Sequence, residues 1–212
     1  MPTPMATIDE RGKPVITESE LHGASRGDTL RVDENARLTP LAADAIKDRG
    51  ILLERVRRRS ANRKRIALGA DHGGFEMKET LKRLLADLGH DFQDLGTHST
   101  EAVDYPDYAH AVARAVARGT CDLGIVVDGA GIGSCMAANK VPGVRAAMCY
   151  DAATARNSRE HNGANVLTLG GKLISNEVMR EIVTAWLATD LTEDRHRRRV
   201  AKIDAIEREY VK

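Results

Sequence analysis

The chain has 212 residues and a mass of 23.1 kDa, which suits one domain of ordinary size with an appendage. Its 32 Lys and Arg residues balance 31 Asp and Glu residues, so we expect neither a nucleic-acid partner nor a polybasic membrane anchor. No apolar run approaches the roughly 18 residues that span a bilayer, residues 1–10 lack the apolar core of a signal peptide, and three cysteines are too few for a disulfide scaffold, so we expect a cytoplasmic protein.

Residues 1–62 are predicted to form a small α+β extension that ends in a basic linker. Prolines and glycines before residue 15 indicate a loop. The patterned segments are a helix start at Thr17 with Glu20 in capping-box spacing, a strand over Thr29–Val32, and a helix over Leu41–Arg49 between Thr39-Pro40 and Gly50. The segment shows no clear core of its own, and about 35 patterned residues are few for independent stability.

The linker is the segment Arg55–Arg65, which holds seven basic residues and no acidic one. One interpretation is a patch that binds an anionic partner. The other is a solvated, self-repelling connection, and we favour this second interpretation. The boundary between the extension and the following domain is therefore predicted between residues 62 and 63.

From Ile66 onward, predicted strands alternate with predicted helices. The strands are Ile66–Gly69, Asp91–Leu95, Leu123–Val127, Val144–Cys149 and Asn165–Leu169. The helices are Met77–Leu88, Tyr108–Arg118, Ala152–Arg159, Asn176–Thr189 and Asp194–Tyr210. This alternation predicts an α/β domain with a parallel sheet covered on both faces, and such sheets bind ligands beyond the carboxyl ends of their strands.

A glycine-rich loop follows the third of these strands. Glycines at 129, 131 and 133 allow a tight turn whose N–H groups favour an anion, although a purely structural turn remains the alternative. The pattern is not a dinucleotide fingerprint, because Ser134 stands where the third glycine belongs. It is not a nucleoside-triphosphate loop either, since no Lys-Ser or Lys-Thr pair follows.

Several motifs in this part of the chain occur together and in order. They are Gly69-Ala-Asp-His-Gly-Gly-Phe75, Asp104-Tyr-Pro106, Gly129-Ala-Gly-Ile-Gly133, Ala137-Ala-Asn-Lys140, Gly143-Val-Arg-Ala146 and Arg159-Glu-His-Asn162. Together they resemble the ribose-5-phosphate isomerase B family, which includes the galactose-6-phosphate isomerase subunits, over about Arg65–Tyr210. The resemblance implies a Rossmann-like three-layer sandwich with a five-stranded parallel sheet. It also implies a homodimer or homotetramer with sites shared between subunits, and no metal or organic cofactor.

The resemblance further implies the interconversion of an aldose phosphate and a ketose phosphate through a cis-enediolate. It gives His161 the ring opening and places Asp71 near the reacting hydroxyls. The loop residues Gly129, Ala130, Gly131, Ile132, Gly133 and Ser134 would stabilise the enediolate oxygen through backbone N–H groups. The remaining implied roles are sugar binding by Tyr105, Asn139 and Asn162, and phosphate binding by His72, Arg195 and Arg199.

The sequence departs from the family at the position of the base. One branch has a cysteine directly before the glycine loop, where this chain has Asp128, and another has a glutamate directly after it, where this chain has Ser134. Ala130 also replaces a hydroxyl residue inside the loop. We hypothesise that Asp128 is the base. The alternative is that Asp128 caps the next helix and that the chain is a catalytically silent sugar-phosphate binder, or a partner subunit in a hetero-oligomer.

The extension offers one weak signal. Leu38–Ala42 and Asp48–Ile51 faintly resemble short segments attached to enzymes of bacterial microcompartments. This similarity suggests that the extension docks a protein partner or directs the chain into such a compartment as cargo.

Overall fold

A computed structural model describes residues 6–56 and 63–210. The chain divides into two compact units, Met1–Asn62 and Arg63–Lys212. The middle of the predicted basic linker, residues 57–62, lies outside the described residues. Within the described ranges, every helix is too short or too polar to cross a membrane.

The first unit combines short parallel strands with two short helices. In chain order its elements are β1 (Thr7–Asp9), β2 (Val15–Ile16), a 3-10 helix (Glu18–Leu21), β3 (Thr29–Asp33), β4 (Arg37–Leu38), α1 (Pro40–Arg49) and β5 (Leu52–Val56). Strands β1, β3 and β5 form one parallel sheet, and β2 pairs with β4 in another. The α+β character that the sequence predicted for this region is confirmed.

Two expectations for this unit were wrong. Strand β1 lies where prolines and glycines predicted a loop, because strands of two or three residues are too short to show alternation. The unit also has a core, formed by apolar side chains that are distant in sequence: Ile16, Leu21, Leu30, Val32, Ala36, Ala42, Ile46 and Ile51. The predicted caps do form, with Glu20 accepting from the Thr17 N–H at 2.7 Å and Gly50 ending α1 at a left-handed φ of 63°.

The second unit alternates strands and helices as predicted. Its elements are β6 (Arg65–Ala70), α2 (Phe75–Asp87), β7 (Asp91–Asp94), α3 (Tyr105–Ala117), β8 (Leu123–Asp128), α4 (Ile132–Ala138), β9 (Ala146–Met148), α5 (Ala152–Glu160), β10 (Val166–Gly170), α6 (Asn176–Leu187) and α7 (Asp194–Tyr210). The five strands form one parallel sheet in the order β7-β6-β8-β10-β9. Helix α3 begins at Tyr105, three residues before the predicted start, because Asp104 and Pro106 initiate it.

Apolar cores lie on both faces of this sheet. One contains side chains from α2, α5 and α6, including the single tryptophan, Trp186. The other contains side chains from α3 and α4. Strand β8 is buried along its whole length because both of its faces meet these cores. The three-layer α/β fold is therefore confirmed.

Candidate functional site

The carboxyl edge of the sheet brings two predicted motifs together. Strands β6 and β8 are neighbours, with Ala70 paired to Val127, so the residues that follow each strand emerge side by side. The Asp71 N–H donates to the Val127 carbonyl at 3.2 Å. A Cβ added to Gly73 would lie 3.4 Å from the backbone of Gly129, which shows how closely the two loops approach.

Asp128 is buried and directs its carboxylate into its own loop. Only 4% of the residue is exposed. One carboxylate oxygen, Oδ1, accepts hydrogen bonds from the N–H groups of Ala130, at 2.8 Å, and of Gly131. The other, Oδ2, accepts from the N–H of Ser134 at 2.9 Å. Three of the amides predicted to face the substrate's oxyanion are therefore engaged by this side chain.

The other predicted residues at this edge surround the loop. Asp71 is 7% exposed, and its Oδ1 accepts from the Gly74 N–H at 2.9 Å, which closes the turn before α2. His72 is exposed, with Nδ1 3.3 Å from the N of Val103. The Tyr105 ring lies against the loop so closely that a Cβ on Gly133 would come within 2.5 Å of it. We call Asp71, His72, Tyr105 and residues 128–134 the carboxyl-edge set.

Lys172 belongs to the same region and was missed by the sequence analysis. Its N–H donates to the Gly129 carbonyl at 3.1 Å, and its Cδ would lie 3.8 Å from a Cβ at Gly129. The residue is exposed and, with His72, lines a cleft of about 700 Å³. A lysine directly after the glycine pair that ends β10 was the available signal, because parallel strands place such residues at the ligand-binding edge.

His161 and Asn162 lie at the opposite edge. They follow α5, which runs back across the sheet, and they precede β10. Strand β10 pairs in register with β8, from Val166 beside Gly124 to Gly170 beside Asp128. The amino end of β10 at Val166 and its carboxyl end at Gly170, beside Asp128, are four residues apart, which is about 13 Å at a rise of about 3.3 Å per residue. Within one chain, His161 is therefore not brought to the glycine loop.

Helix α7 extends this second group. His196 stacks on His161 with ring centroids 4.1 Å apart and an interplanar angle of 12°. Arg195, one residue earlier, is exposed and pairs with Glu193, and Arg199 is exposed one turn later. We call His161, Asn162, Arg195 and Arg199 the amino-edge set.

Asn139, which was predicted to bind the sugar, bonds with its side-chain amide to a neighbouring strand. Its Oδ1 accepts from the Ala146 N–H at 2.8 Å, and its Nδ2 donates to the Ala146 carbonyl at 2.9 Å. Its amide is thus used to hold the end of α4 against β9. Asn139 and Asn162 both line a groove of about 640 Å³ beside α7.

The histidine that α7 places at the amino edge is almost fully buried. His196 is 1% exposed, and burial lowers the pKa of its imidazole, with the nearby charge of His161 as the next cause. Both of its ring nitrogens lack a hydrogen-bond partner among the described residues. Within residues 6–56 and 63–210 we find no cluster of three His, Cys, Asp or Glu side chains suited to hold a metal ion.

Comparison with known proteins matches the second unit to sugar-phosphate isomerases. The family model for ribose/galactose isomerases matches residues 66–203. Ribose-5-phosphate isomerase B of Escherichia coli is 44% identical over 68% of this chain and 97% of its own. D-erythrulose-4-phosphate isomerase of Pectobacterium atrosepticum is 41% identical over 58% of this chain and 81% of its own. The structure of Clostridium thermocellum ribose-5-phosphate isomerase B superposes with a TM-score of 0.68 and 46% identity, covering 69% of this chain and 99% of that one.

Proposed function

The chain belongs to the ribose/galactose isomerase family, and from this premise we propose that it is an aldose–ketose isomerase of a phosphorylated sugar. The substrates of its relatives, a five-carbon 5-phosphate and a four-carbon 4-phosphate, differ by one carbon between the reacting end and the phosphate. We therefore propose a tetrose, pentose or hexose phosphate as the substrate class. The reaction would move one proton between adjacent carbons through a cis-enediolate.

The placement of predicted residues at opposite edges of one sheet carries this proposal. A two-fold axis perpendicular to the strands would set the carboxyl-edge set of one chain beside the amino-edge set of a second chain. Two equivalent sites result, each complete only in the dimer. Exposed apolar side chains suit such an interface, since Met136 on α4 is 64% exposed and Ile206 on α7 is 58% exposed. A homotetramer would pair two such dimers.

In this assembly each edge has its own task. The amino-edge set would open the sugar ring through His161, because an imidazole can both donate and accept a proton. Arg195 and Arg199 would hold the phosphate together with His72 from the other chain, because guanidinium groups bind phosphate with paired hydrogen bonds. Asp71 would orient the reacting hydroxyls, and loop amides not taken by Asp128 would stabilise the enediolate oxygen.

The base is the point on which two candidate functions separate. If Asp128 removes the carbon-bound proton, its carboxylate must give up amides that it binds in the resting structure. Those amides would then become available to the enediolate in the same movement. The three hydrogen bonds also favour the second candidate, a silent family member in which Asp128 only stabilises the loop and the site binds a sugar phosphate without turnover.

A complementation experiment tests the shared site. Asp71→Asn keeps an oxygen for the Gly74 N–H but removes the negative charge, while His161→Asn disables the other edge. Once each homodimer is shown to be impaired, the two are mixed under conditions that exchange subunits. Random exchange makes half of the dimers hybrid, each with one intact site of two, so we expect about one quarter of the wild-type activity.

Two controls make the result decisive. When a chain carrying both Asp71→Asn and His161→Asn is mixed equally with wild type, the hybrid dimers have no intact site, so subunit exchange should halve the activity of the added wild type. If the two single variants mix without any recovery although subunit exchange is verified by mass spectrometry, the shared site is wrong. A wild-type protein that binds a sugar phosphate yet exchanges no solvent deuterium into it would establish the silent candidate.

A further inference from the structure

The His161 ring is held on two sides by residues that the proposed reaction does not use. Asn157, one helical turn earlier on α5, places its Nδ2 3.0 Å from His161 Nδ1. His196 covers one face of the ring from α7. The remaining ring nitrogen, Nε2, has the Glu160 carboxylate at 4.0 Å.

The orientation of the Asn157 amide is consistent with a second contact. Its Oδ1 lies 3.4 Å from the Nδ2 of Asn162, which is a donor. Turning the amide over would place two NH₂ groups against each other, so the arrangement of donors favours Nδ2 facing His161. A donor at Nδ1 requires that nitrogen to be the acceptor. The neutral imidazole then carries its proton on Nε2, the nitrogen not bound by Asn157.

His196 restrains the ring without competing for its proton. It is buried, and burial lowers its pKa, so it stays neutral at pH values where an exposed histidine begins to charge. The charged groups around the pair are Glu160 on α5 and Glu193, Arg195 and Arg199 on or beside α7. Because Glu193 is 3.6 Å from His196 Nε2 and also pairs with Arg195, the stack is tied to the predicted phosphate-binding residues.

We propose that Asn157 and His196 are positioning residues for His161: Asn157 fixes which ring nitrogen carries the proton, and His196 fixes the plane of the ring. The effect on the rate of ring opening rests on the proposed function, whereas the fixed tautomer and ring plane do not. A ring held in one tautomer and one plane presents Nε2–H to the sugar ring oxygen without a search over orientations. Giving that proton to the oxygen leaves a neutral ring only when Nδ1 has taken up a second proton, which requires Asn157 to turn and offer Oδ1.

Imidazole ¹⁵N NMR tests the structural part whether or not the protein turns over a sugar. We expect the His161 signals of the wild type to show the Nε2–H tautomer and those of Asn157→Leu to show a mixture. Arg156→Leu, on the same exposed helix surface, is the matched control and should keep the wild-type signals. Identical tautomer signals in the wild type and Asn157→Leu would overturn the role of Asn157.

Two reactions test the functional part. An aldopentose 5-phosphate exists mainly as a ring, so its conversion needs ring opening. Exchange of solvent deuterium into C1 of the ketopentose 5-phosphate stops at the enediolate, and this ketose has no hydroxyl placed to close a ring. We expect Asn157→Leu and His196→Leu to lower kcat from the aldose by about 10- to 100-fold with little change in KM, and to affect the deuterium exchange less. His196→Phe keeps an aromatic plane and should recover most of the loss.

The pH profile separates positioning from simple packing. Asn157→Asp offers an acceptor to Nδ1–H, so it should shift the limb of the pH–rate profile set by His161 toward higher pH, whereas a structural defect would lower the rate at every pH. Equal losses in aldose conversion and in deuterium exchange, or an unmoved profile, would overturn the proposal. If the wild type converts no sugar phosphate at all, the proposed function fails while the NMR result still decides the positioning of His161.

Discussion

The hydrogen bonds of Asp128 predict a specific pattern of stability changes. In Asp128→Asn, the amide oxygen can still accept from Ala130 and Gly131, but its NH₂ group then faces the Ser134 N–H. One charge-assisted hydrogen bond is lost and a buried donor is left unpaired, so we expect a loss of about 1.5–3 kcal/mol in the free energy of unfolding. Asp128→Ala removes both acceptor oxygens and with them all three hydrogen bonds, so its loss should be at least about twice as large.

Tryptophan fluorescence during urea denaturation measures the free energy of unfolding of the second unit, which contains Asp128. Trp186 is the only tryptophan, and it lies in the core of the second unit, so its signal reports the unfolding of that unit. Asp87→Asn, an exposed carboxylate at the end of α2, is the control and should change stability by less than about 0.5 kcal/mol. If Asp128→Asn is as stable as this control, the carboxylate does not bind the loop in the way described.

The same variant separates the two candidate functions. If Asp128 also acts as the base, Asp128→Asn should lower turnover by about 10²- to 10⁴-fold while sugar-phosphate binding persists. Full activity in this variant would remove Asp128 from the chemistry. If Asp128→Asn loses stability but keeps the turnover of an active wild type, the role of Asp128 is only to stabilise the glycine loop.

Further predictions concern other parts of the chain. Hydrogen bonds from Thr17 lower the pKa of Glu20 from 4.5 to about 2. The stabilisation that Glu20 gives the first unit is therefore present above pH 4.5 and is lost as the pH falls toward 2. Amide exchange in β3 should show this loss, and the Glu20→Gln variant should lack this pH dependence. Asp94→Asn would remove the negative charge 2.6 Å from the fully buried Lys78 ammonium, which among the described residues keeps only Glu79 at 3.6 Å as an acidic neighbour, and should cost about 3 kcal/mol. Lys78→Met should cost much less because Asp94 keeps its ion pair with Lys82, and urea denaturation can compare the two variants. Gly74→Ala places a Cβ 2.1 Å from the Val127 carbonyl and should destabilise the second unit by about 3 kcal/mol or more, and a wild-type unfolding midpoint would refute that packing.

The strands and helices of the second unit were predictable because its pattern is regular. Strand β8 is a continuous apolar run, and each helix between strands carries one apolar stripe. The first unit was harder, because Ile16 and Leu30 belong to strands too short to alternate and meet only through the tertiary fold. A core assembled from distant short segments leaves no local signal.

The candidate site, too, could be predicted only in part from the sequence. The motifs predicted which residue types gather, and capping of the next helix by Asp128 was one of the alternatives. That the carboxylate binds three amides of its loop depends on a side-chain orientation that the motifs leave open. The separation of His161 from the glycine loop could have been derived. A helix that connects two parallel strands must return to their amino ends, so a residue at its last turn lies at the edge opposite to the loop.

The division of residues between the two edges also affects how such a gene can evolve. In the proposed dimer, one copy of a duplicated gene can lose His161 while the other loses Asp71, and the pair still assembles one whole site. From then on neither copy can be deleted, although neither gained anything. A two-gene isomerase can therefore arise from this fold by complementary decay alone, and the surviving histidine and aspartate would show which chain had retained which edge.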